Sequence, residues 1–278
     1  MFDLHMHTNF SDGVLSPDEL IKLASERGIK KLSVTDHDLV SHYQHIIEAG
    51  KKYKVGIIRG VELSTEHEGQ SVHILAYFSK EEDFNKLIEF ETSVTENRRN
   101  RINKICSLLE ENENIKLDPN EILNCDSLSI GRPHIAKAMV KAGYVESEDE
   151  AFQKYLGNYS PYYIPSALTS TEDALKMVKK FKGLSVIAHP ASAFINKEDT
   201  IKKFVEAGLQ GIEVYYPYHD YYKWNYYLNL VRRFNLIATG GSDYHGYKQG
   251  RSDSLGKVKI PDAEFNRFIS RLEYCSRG

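Results

Sequence analysis

The sequence predicts an α/β fold, close to a closed barrel of about seven strands, that carries a helical insertion. Three observations predict it. In the first 80 residues, short apolar runs alternate with amphipathic helical runs, the order that builds parallel strands joined by crossover helices. The rhythm stops at Lys80, and residues 81–165 contain little that reads as strand. It then resumes and continues to Gly240.

Phe2 to His7 reads as a short strand. Ser16-Pro17-Asp18-Glu19 opens a helix, with Ser16 as N-cap, Pro17 at the first helical position and Glu19 closing a capping box. Leu20, Ile21, Leu23 and Ala24 supply its apolar stripe, and Gly28 its left-handed stop. Lys31 to Thr35 is the next strand and residues 41–53 the next helix, followed by strands Val55 to Val61 and Val72 to Phe78. Inside the insertion, Phe84 to Glu113 is a long helical pattern and Pro119 to Leu123 a short one. Pro133 to Ala142 opens on proline and ends at Gly143, Glu148 to Leu156 ends at Gly157, and Pro161 with Pro165 marks the exit. Leu184 to Ala188, Gly211 to Tyr215 and Leu236 to Gly240 are strands, with helices over 171–182, 198–207 and 220–234. The expected organisation is one domain from 1–80 with 166–278, interrupted by a helical domain over 81–165.

A chain of 278 residues with 41% apolar and 27% charged residues can bury a sizeable core and needs no structural metal or disulfide to fold. Lys and Arg number 36 against 39 Asp and Glu, a net charge of -3, which excludes bulk electrostatic binding to duplex DNA or a membrane surface. Cys106, Cys125 and Cys275 are odd in number and form no CxxC pair, which suits a reducing compartment. The start MFDLHMHTNF lacks the basic and apolar regions of a signal peptide, and no apolar run approaches the ~18 residues of a membrane span. The expected location is the cytoplasm, with no membrane and no obligate protein partner.

The chemistry collects at strand ends. Of 11 histidines, six lie there: His5 and His7 in DLHMHT, His37 in SVTDHD, His73 in SVHILAYF, His189 in SVIAHP and His245 in ATGGSDYH. Asp12, Glu62 and Asp243 join them. In α/β barrels the C-terminal strand ends converge on the face where active sites are built. His5 and His7, two apart on a strand, point to one face. An all-nitrogen-and-oxygen donor set suits manganese, iron or zinc, and nine candidate ligands exceed the needs of one ion. Two or three metals, bridged by a carboxylate and a hydroxide, would use them all.

Other residues carry weaker expectations. Asp36 could orient an imidazole from behind, and Asp38 could cap the next helix. His42, His45, His67 and His219 read as surface residues. Arg98 and Arg101 share a helix face, with Arg99 pointing about 100° away: either a phosphate clamp or a solvated charged face. Arg132 and His134 sit at a helix start, where free N–H groups favour an anion. The aromatic run Tyr215, Tyr216, Tyr218, Tyr221, Tyr222, Trp224, Tyr226 and Tyr227 reads mainly as a helix packed on the core, with one ring allowed at a pocket mouth. Gly240-Gly241 would let backbone approach the site closely.

Taken in order, HMHTNFSDG, TDHD, GVELS with VHILAY, AHP and GSDYH resemble the motifs of the PHP (polymerase and histidinol phosphatase) family of metal-dependent phosphoesterases. The insertion, with ENRRNRI, GRPHIAKAMVKAGY and AFQKYLG, is similar to the branch of nucleoside 3',5'-bisphosphate phosphatases and 5'-to-3' exoribonucleases acting on short RNA. The resemblance implies a distorted seven-stranded (β/α) barrel with an inserted small helical domain, and up to three metals, commonly manganese. By motif, it implies one metal on His5, His7, Glu62 and Asp243, a second on Asp12, His37 and His245, and a third on Glu62, His73 and His189, with Glu62 bridging. It favours the phosphate clamp, so Arg98, Arg99, Arg101, Arg132 and His134 are the expected substrate contacts. His134 and His245 are the candidate catalytic residues. The implied activity is hydrolysis of a nucleotide or short-RNA phosphate ester by a metal-bridged hydroxide. A histidinol-phosphate or other sugar phosphatase, and a metal-binding domain without catalysis, are the alternatives.

Overall fold

The computed structural model describes all residues except 125–128, 158, 165–168, 193–197, 247–252 and 278, so Cys125 and Pro165 lie outside the described residues. The chain divides into two units, Met1–Phe90 with Thr169–Gly278, and Glu91–Leu168.

The first unit begins β1 (Phe2–Asp3), α1 (Pro17–Glu26), β2 (Lys31–Leu32), α2 (Tyr43–Tyr53), β3 (Gly56–Ile57), β4 (Arg59–His67), β5 (Gln70–Phe78) and α3 (Glu81–Phe84). The helix α4 (Ile88–Glu113) runs into the second unit, which continues with α5 (Pro119–Leu123), α6 (Arg132–Lys141) and α7 (Glu148–Ala151), the last leading into a π-helical turn over Phe152–Leu156. The first unit resumes with α8 (Thr171–Lys180), β6 (Leu184–Ile187), α9 (Glu198–Ala207), β7 (Gly211–Tyr215), α10 (Tyr221–Arg233), β8 (Ile237–Gly240) and α11 (Asp262–Arg277).

Among the described residues no sheet closes into the expected barrel. The strands form two sheets: a parallel one in the order β1-β2-β3, and a mixed one in the order β4-β5-β6-β7-β8. In the second, β4-β5 and β5-β6 pair antiparallel, and β6-β7 and β7-β8 parallel. Two local features account for the departure. First, β1, β2 and β3 keep regular pairing for only two residues each, after which the chain carries its histidines away from the ladder. Among the described residues the isolated bridges Met6 to Tyr244 and His37 to Glu62, with a few backbone hydrogen bonds, reach across to the other sheet. Second, His67-Glu68-Gly69-Gln70 is a two-residue hairpin, with Glu68 and Gly69 at φ 49° and 79°. Positive φ at both turn residues matches the right-handed twist of paired strands and turns β5 back along β4.

The alternation of β5 buries both faces of the second sheet. Leu75 and Tyr77 join Leu184, Val186 and Ile237 under Phe265, Phe268 and Leu272 of α11. Ile74, Ala76 and Phe78 lie in the main core with Ile187, Ile212 and Val214, beside Leu175, Phe204 and Tyr227 from α8, α9 and α10. Each fully buried ring or aliphatic side chain is worth about 1.5–3 kcal/mol. The capping box forms: the Ser16 hydroxyl accepts from the Glu19 amide, and Glu19 accepts from the Ser16 amide at 2.9 Å. The second unit has its own core, built from Ile102, Ile105, Cys106 and Leu109 of α4 with Ile122, Ile135 and Met139.

Candidate metal centre

Six segments of the chain deliver the site. Residues 4–7 leave β1 beside the segment after β8: the Asp243 N–H donates to the His5 carbonyl at 2.8 Å, and the His7 N–H to the Tyr244 carbonyl at 2.9 Å. Leu4 and Met6 point into two hydrophobic clusters, which turns His5 and His7 together to the opposite side. His37 bridges to Glu62 in β4, and His73 lies opposite Ser64 on β5. His189 follows β6 and Asp243 follows β8, both with positive φ, at 26° and 48°. Such backbone costs roughly 1–3 kcal/mol per residue and persists where the surroundings impose it. Gly241 is required here, because a β-carbon would lie 2.3 Å from the His5 β-carbon.

Glu62 is the floor of the site and only 1% exposed. Its two oxygens face different partners. Oε2 lies 3.2 Å from His5 Nε2, 3.1 Å from His7 Nε2 and 3.4 Å from His37 Nδ1. Oε1 lies 2.9 Å from His73 Nδ1 and 3.1 Å from His189 Nε2. Asp243 Oδ1 stands 3.4 Å from His5 Nε2 and 3.3 Å from His7 Nε2, while Asp12 Oδ1 is 3.2 Å from His245 Nε2. Three groups result, each with ligand atoms within 4.8 Å of one another: His5, His7, Glu62 and Asp243; His7, Asp12, His37 and His245; and His37, Glu62 and His73. Together these groups hold eight of the nine sequence-predicted ligands, with His7, His37 and Glu62 each in two of them, and His189 adjoins them through its 3.1 Å contact with Glu62.

These donors fit a di- or tri-metal site. The His5 and His7 Nε2 atoms face each other at 3.1 Å, and the buried Nδ1 atoms of His37 and His73 approach Glu62 oxygens at angles that make no hydrogen bond. Nitrogens aimed at each other and at shared carboxylates suit a cation placed between them. Electrostatics agree. Burial alone would lower His5, but Glu213, Glu62 and Asp243 outweigh it and hold its pKa well above the ordinary value. Burial likewise opposes protonation of His7, yet hydrogen bonds to Asp243 and Glu62 raise it to about 10. Burial would raise Glu62 and Asp243, but the surrounding imidazoles hold both well below the carboxylate range. Metal binding must therefore displace protons from histidine and weakens as pH falls.

Sequence reasoning missed Glu213. It is fully buried in β7, accepts from His5 Nδ1 at 3.0 Å and from the His189 N–H at 2.7 Å, and so leaves the His5 Nε2 lone pair facing the cluster. The signal was available: in GIEVY the glutamate is the one charged residue of an otherwise buried strand. Tyr216, in the aromatic run expected mainly to pack on the core, donates its hydroxyl to Asp243 Oδ2 at 3.0 Å. Asp36 orients none of the clustered imidazoles. It accepts from the Thr8 amide and hydroxyl, the Ser11 hydroxyl and His42 at 2.6–2.8 Å, and so fixes the loop that carries Asp12. Asp38 accepts from the Ser64 N–H at 2.7 Å and does not cap α2. His42 and His219 are buried, not surface residues, and His67 pairs with Glu172 at 2.9 Å; only His45 is exposed.

In the second unit, Arg98 Nη1 donates to the Ile130 carbonyl at 3.2 Å, Arg101 Nε to Ile164 at 2.6 Å and Arg132 Nη1 to Leu156 at 2.7 Å. Arg99 is exposed. His134 Nδ1 accepts from the Gly131 N–H at 3.1 Å, which places the ring proton of the neutral imidazole on Nε2.

Metal removal should loosen the protein without unfolding it, because the core clusters do not include the ligands. An ion at 100 times its dissociation constant contributes about 2.7 kcal/mol, and 1 kcal/mol moves the melting temperature of a chain this size by about 2–4 °C. Chelation should lower the melting temperature by roughly 5–10 °C, as read by differential scanning calorimetry. An unchanged midpoint would mean that the cluster binds no metal tightly.

The chain matches the PHP domain over residues 3–156, more than half its length. It is 31% identical to the 3',5'-nucleoside bisphosphate phosphatase of Chromobacterium violaceum, covering 90% of this chain and 89% of that protein. It is 29% identical to the phosphoribosyl 1,2-cyclic phosphate 1,2-diphosphodiesterase of Eggerthella lenta (93% and 98% covered) and 27% identical to a 5'-3' exoribonuclease of Haemophilus influenzae (88% and 89%). Its fold superposes with a TM-score of 0.83 on a crystal structure from Bifidobacterium adolescentis described as a metal-dependent phosphoesterase, at 28% identity, covering 97% of this chain and 96% of that one. Among the described residues no helix is long and apolar enough to cross a membrane. With three interlocking groups of imidazole and carboxylate donors at its strand ends, the chain belongs to the PHP-domain family and is a metal-dependent phosphoesterase.

Proposed function

We propose that the substrate is a phosphate ester of a nucleotide, either a nucleoside 3',5'-bisphosphate or the 5' end of short RNA, and that the metal is manganese. The observation that carries this reading is the arginine group of the helical unit. The guanidiniums of Arg101 and Arg132 lie 5.8 and 5.1 Å from the Tyr163 ring. Burial, then the charges of Arg132 and Arg98, lower the Arg101 pKa to about 10. Among the described residues Arg101 has no carboxylate partner, and its Nη2 is buried without a hydrogen bond. Crowded like charges are stabilised by an anion, and a guanidinium fork matches phosphate.

In this reading Arg98, Arg101 and Arg132 hold the phosphate that is not cleaved, and Arg99, on the exposed side of α4, contributes least. His134 holds its proton at Nε2, the atom assigned to donate toward the leaving oxygen. The nine clustered residues are assigned as metal ligands, with Glu62 bridging; His245 also borders the reacting phosphate. Bound divalent metal supplies Lewis-acid stabilisation of phosphoryl oxygens and activates water. The names of the relatives support a substrate built on a phosphorylated ribose.

A charge-assisted phosphate contact is worth roughly 1.5–3 kcal/mol, so Arg101→Ala should lower kcat/KM for adenosine 3',5'-bisphosphate roughly 10- to 100-fold. It should leave a simple monoester nearly unaffected. Equal losses on both would return the arginines to a structural role. A wild type that prefers histidinol phosphate or a phosphoribosyl cyclic phosphate would replace the nucleotide reading.

A further inference from the structure

We propose that Tyr218 is the specificity-determining platform for the nucleobase, an inference that rests on the nucleotide reading above. A cavity of about 230 Å³ opens onto the metal cluster, lined by Tyr216, Tyr218, Asp243, His245, Gly246 and Ser254 among others. That is smaller than the roughly 300–1,000 Å³ usual for a site enclosing a whole small ligand. It accommodates the part of a nucleotide nearest the metals, a phosphate and its ribose, and leaves the base at the rim. Tyr218 is the one half-exposed aromatic ring lining it, at 56% exposure.

Three other rings of this run are committed elsewhere. Tyr227 is buried in the core, Trp224 packs edge-on against Tyr215 and Tyr216 is committed to Asp243. Tyr218 packs one edge against Tyr216, with centroids 5.5 Å apart at 60°, and the Lys223 ammonium donates to its carbonyl at 3.3 Å. The ring is therefore positioned from Asp243 through Tyr216, while much of its surface faces solvent. A pre-positioned ring beside a phosphate-sized cavity suits a stacked base, and stacking accepts any base because every base has a π-face. Tyr221 and Tyr222, 73% and 82% exposed, do not line the cavity and serve as controls.

The test compares adenosine 3',5'-bisphosphate with its abasic tetrahydrofuran analogue, which keeps both phosphates and lacks the base, using the manganese-loaded protein. Wild type should prefer the nucleotide. Tyr218→Ala should lower kcat/KM on the nucleotide roughly 10- to 100-fold and leave the abasic rate unchanged, erasing the preference. Tyr218→Phe and Tyr218→Trp should restore it, and Tyr222→Ala should have no effect. The platform is overturned if Tyr218→Ala loses equally on both substrates or on neither, or if wild type hydrolyses both at the same rate. A wild type that hydrolyses neither overturns the nucleotide reading itself, and the platform with it.

Discussion

Asp243→Ala and His7→Ala should each lower kcat/KM by on the order of 10³-fold, measured on a phosphate ester at saturating manganese. Metal contributes several kcal/mol of transition-state stabilisation, and every 1.4 kcal/mol lost is about tenfold in rate. Asp243 faces His5, His7 and His245 with one oxygen, and His7 takes part in two of the three donor groups, so neither loss is confined to a single ion. The variants should keep a cooperative melting transition, because the buried clusters on both faces of the larger sheet remain intact. Near-normal turnover by either variant with full metal content would show that these groups are not the working ligands.

The second large effect is expected at Glu213, which lies behind the ligands. Both of its oxygens accept, one from His5 Nδ1 and one from the His189 amide. Glu213→Gln keeps the shape but turns one acceptor into a donor. It then opposes the His189 amide, or opposes His5 and shifts the ring proton to Nε2, the nitrogen that faces the metals. Losses behind a metal ligand typically run 10- to 100-fold in affinity or activity. Manganese titration of Glu213→Gln should therefore show weaker binding in that range, with part of the activity recovered at high metal. A lower melting temperature with unchanged manganese affinity would instead mark Glu213 as a packing residue.

The clustering of imidazoles and carboxylates was legible in the sequence because their chemistry leaves little choice: His5 and His7 at i, i+2 with Asp12, and carboxylates recurring at strand ends, have few other uses. Helices with explicit punctuation were also legible, such as the one opened by Ser16, Pro17 and Glu19. The barrel was not. Closure depends on pairing between strands distant in sequence, and the apolar runs that predict a strand do not reveal that β1, β2 and β3 pair for only two residues. The antiparallel β4-β5 hairpin was hidden because its turn uses Glu68-Gly69 and not the stronger Asn-Gly or Asp-Gly pair. Helix α11 lies outside the sequence expectations, although Phe265, Phe268, Ile269 and Leu272 carry the i, i+3, i+4, i+7 pattern of a helix face. Glu213 escaped because its partners, His5 and the His189 amide, lie 208 and 24 residues earlier in the chain.

The gap between the two sheets has a further consequence. The segments that carry His5, His7, His37 and Asp243 are tied across it by single bridges and a few amides, not by continuous ladders. Segments held in this way can part at far lower cost than the sheets themselves can melt. The ions, by gripping all of these segments at once, would act as rivets in a seam, and the local breathing of the active site becomes a function of metal supply. Local opening of these segments should therefore become rarer as metal occupancy rises, while the two sheets around them stay as they are.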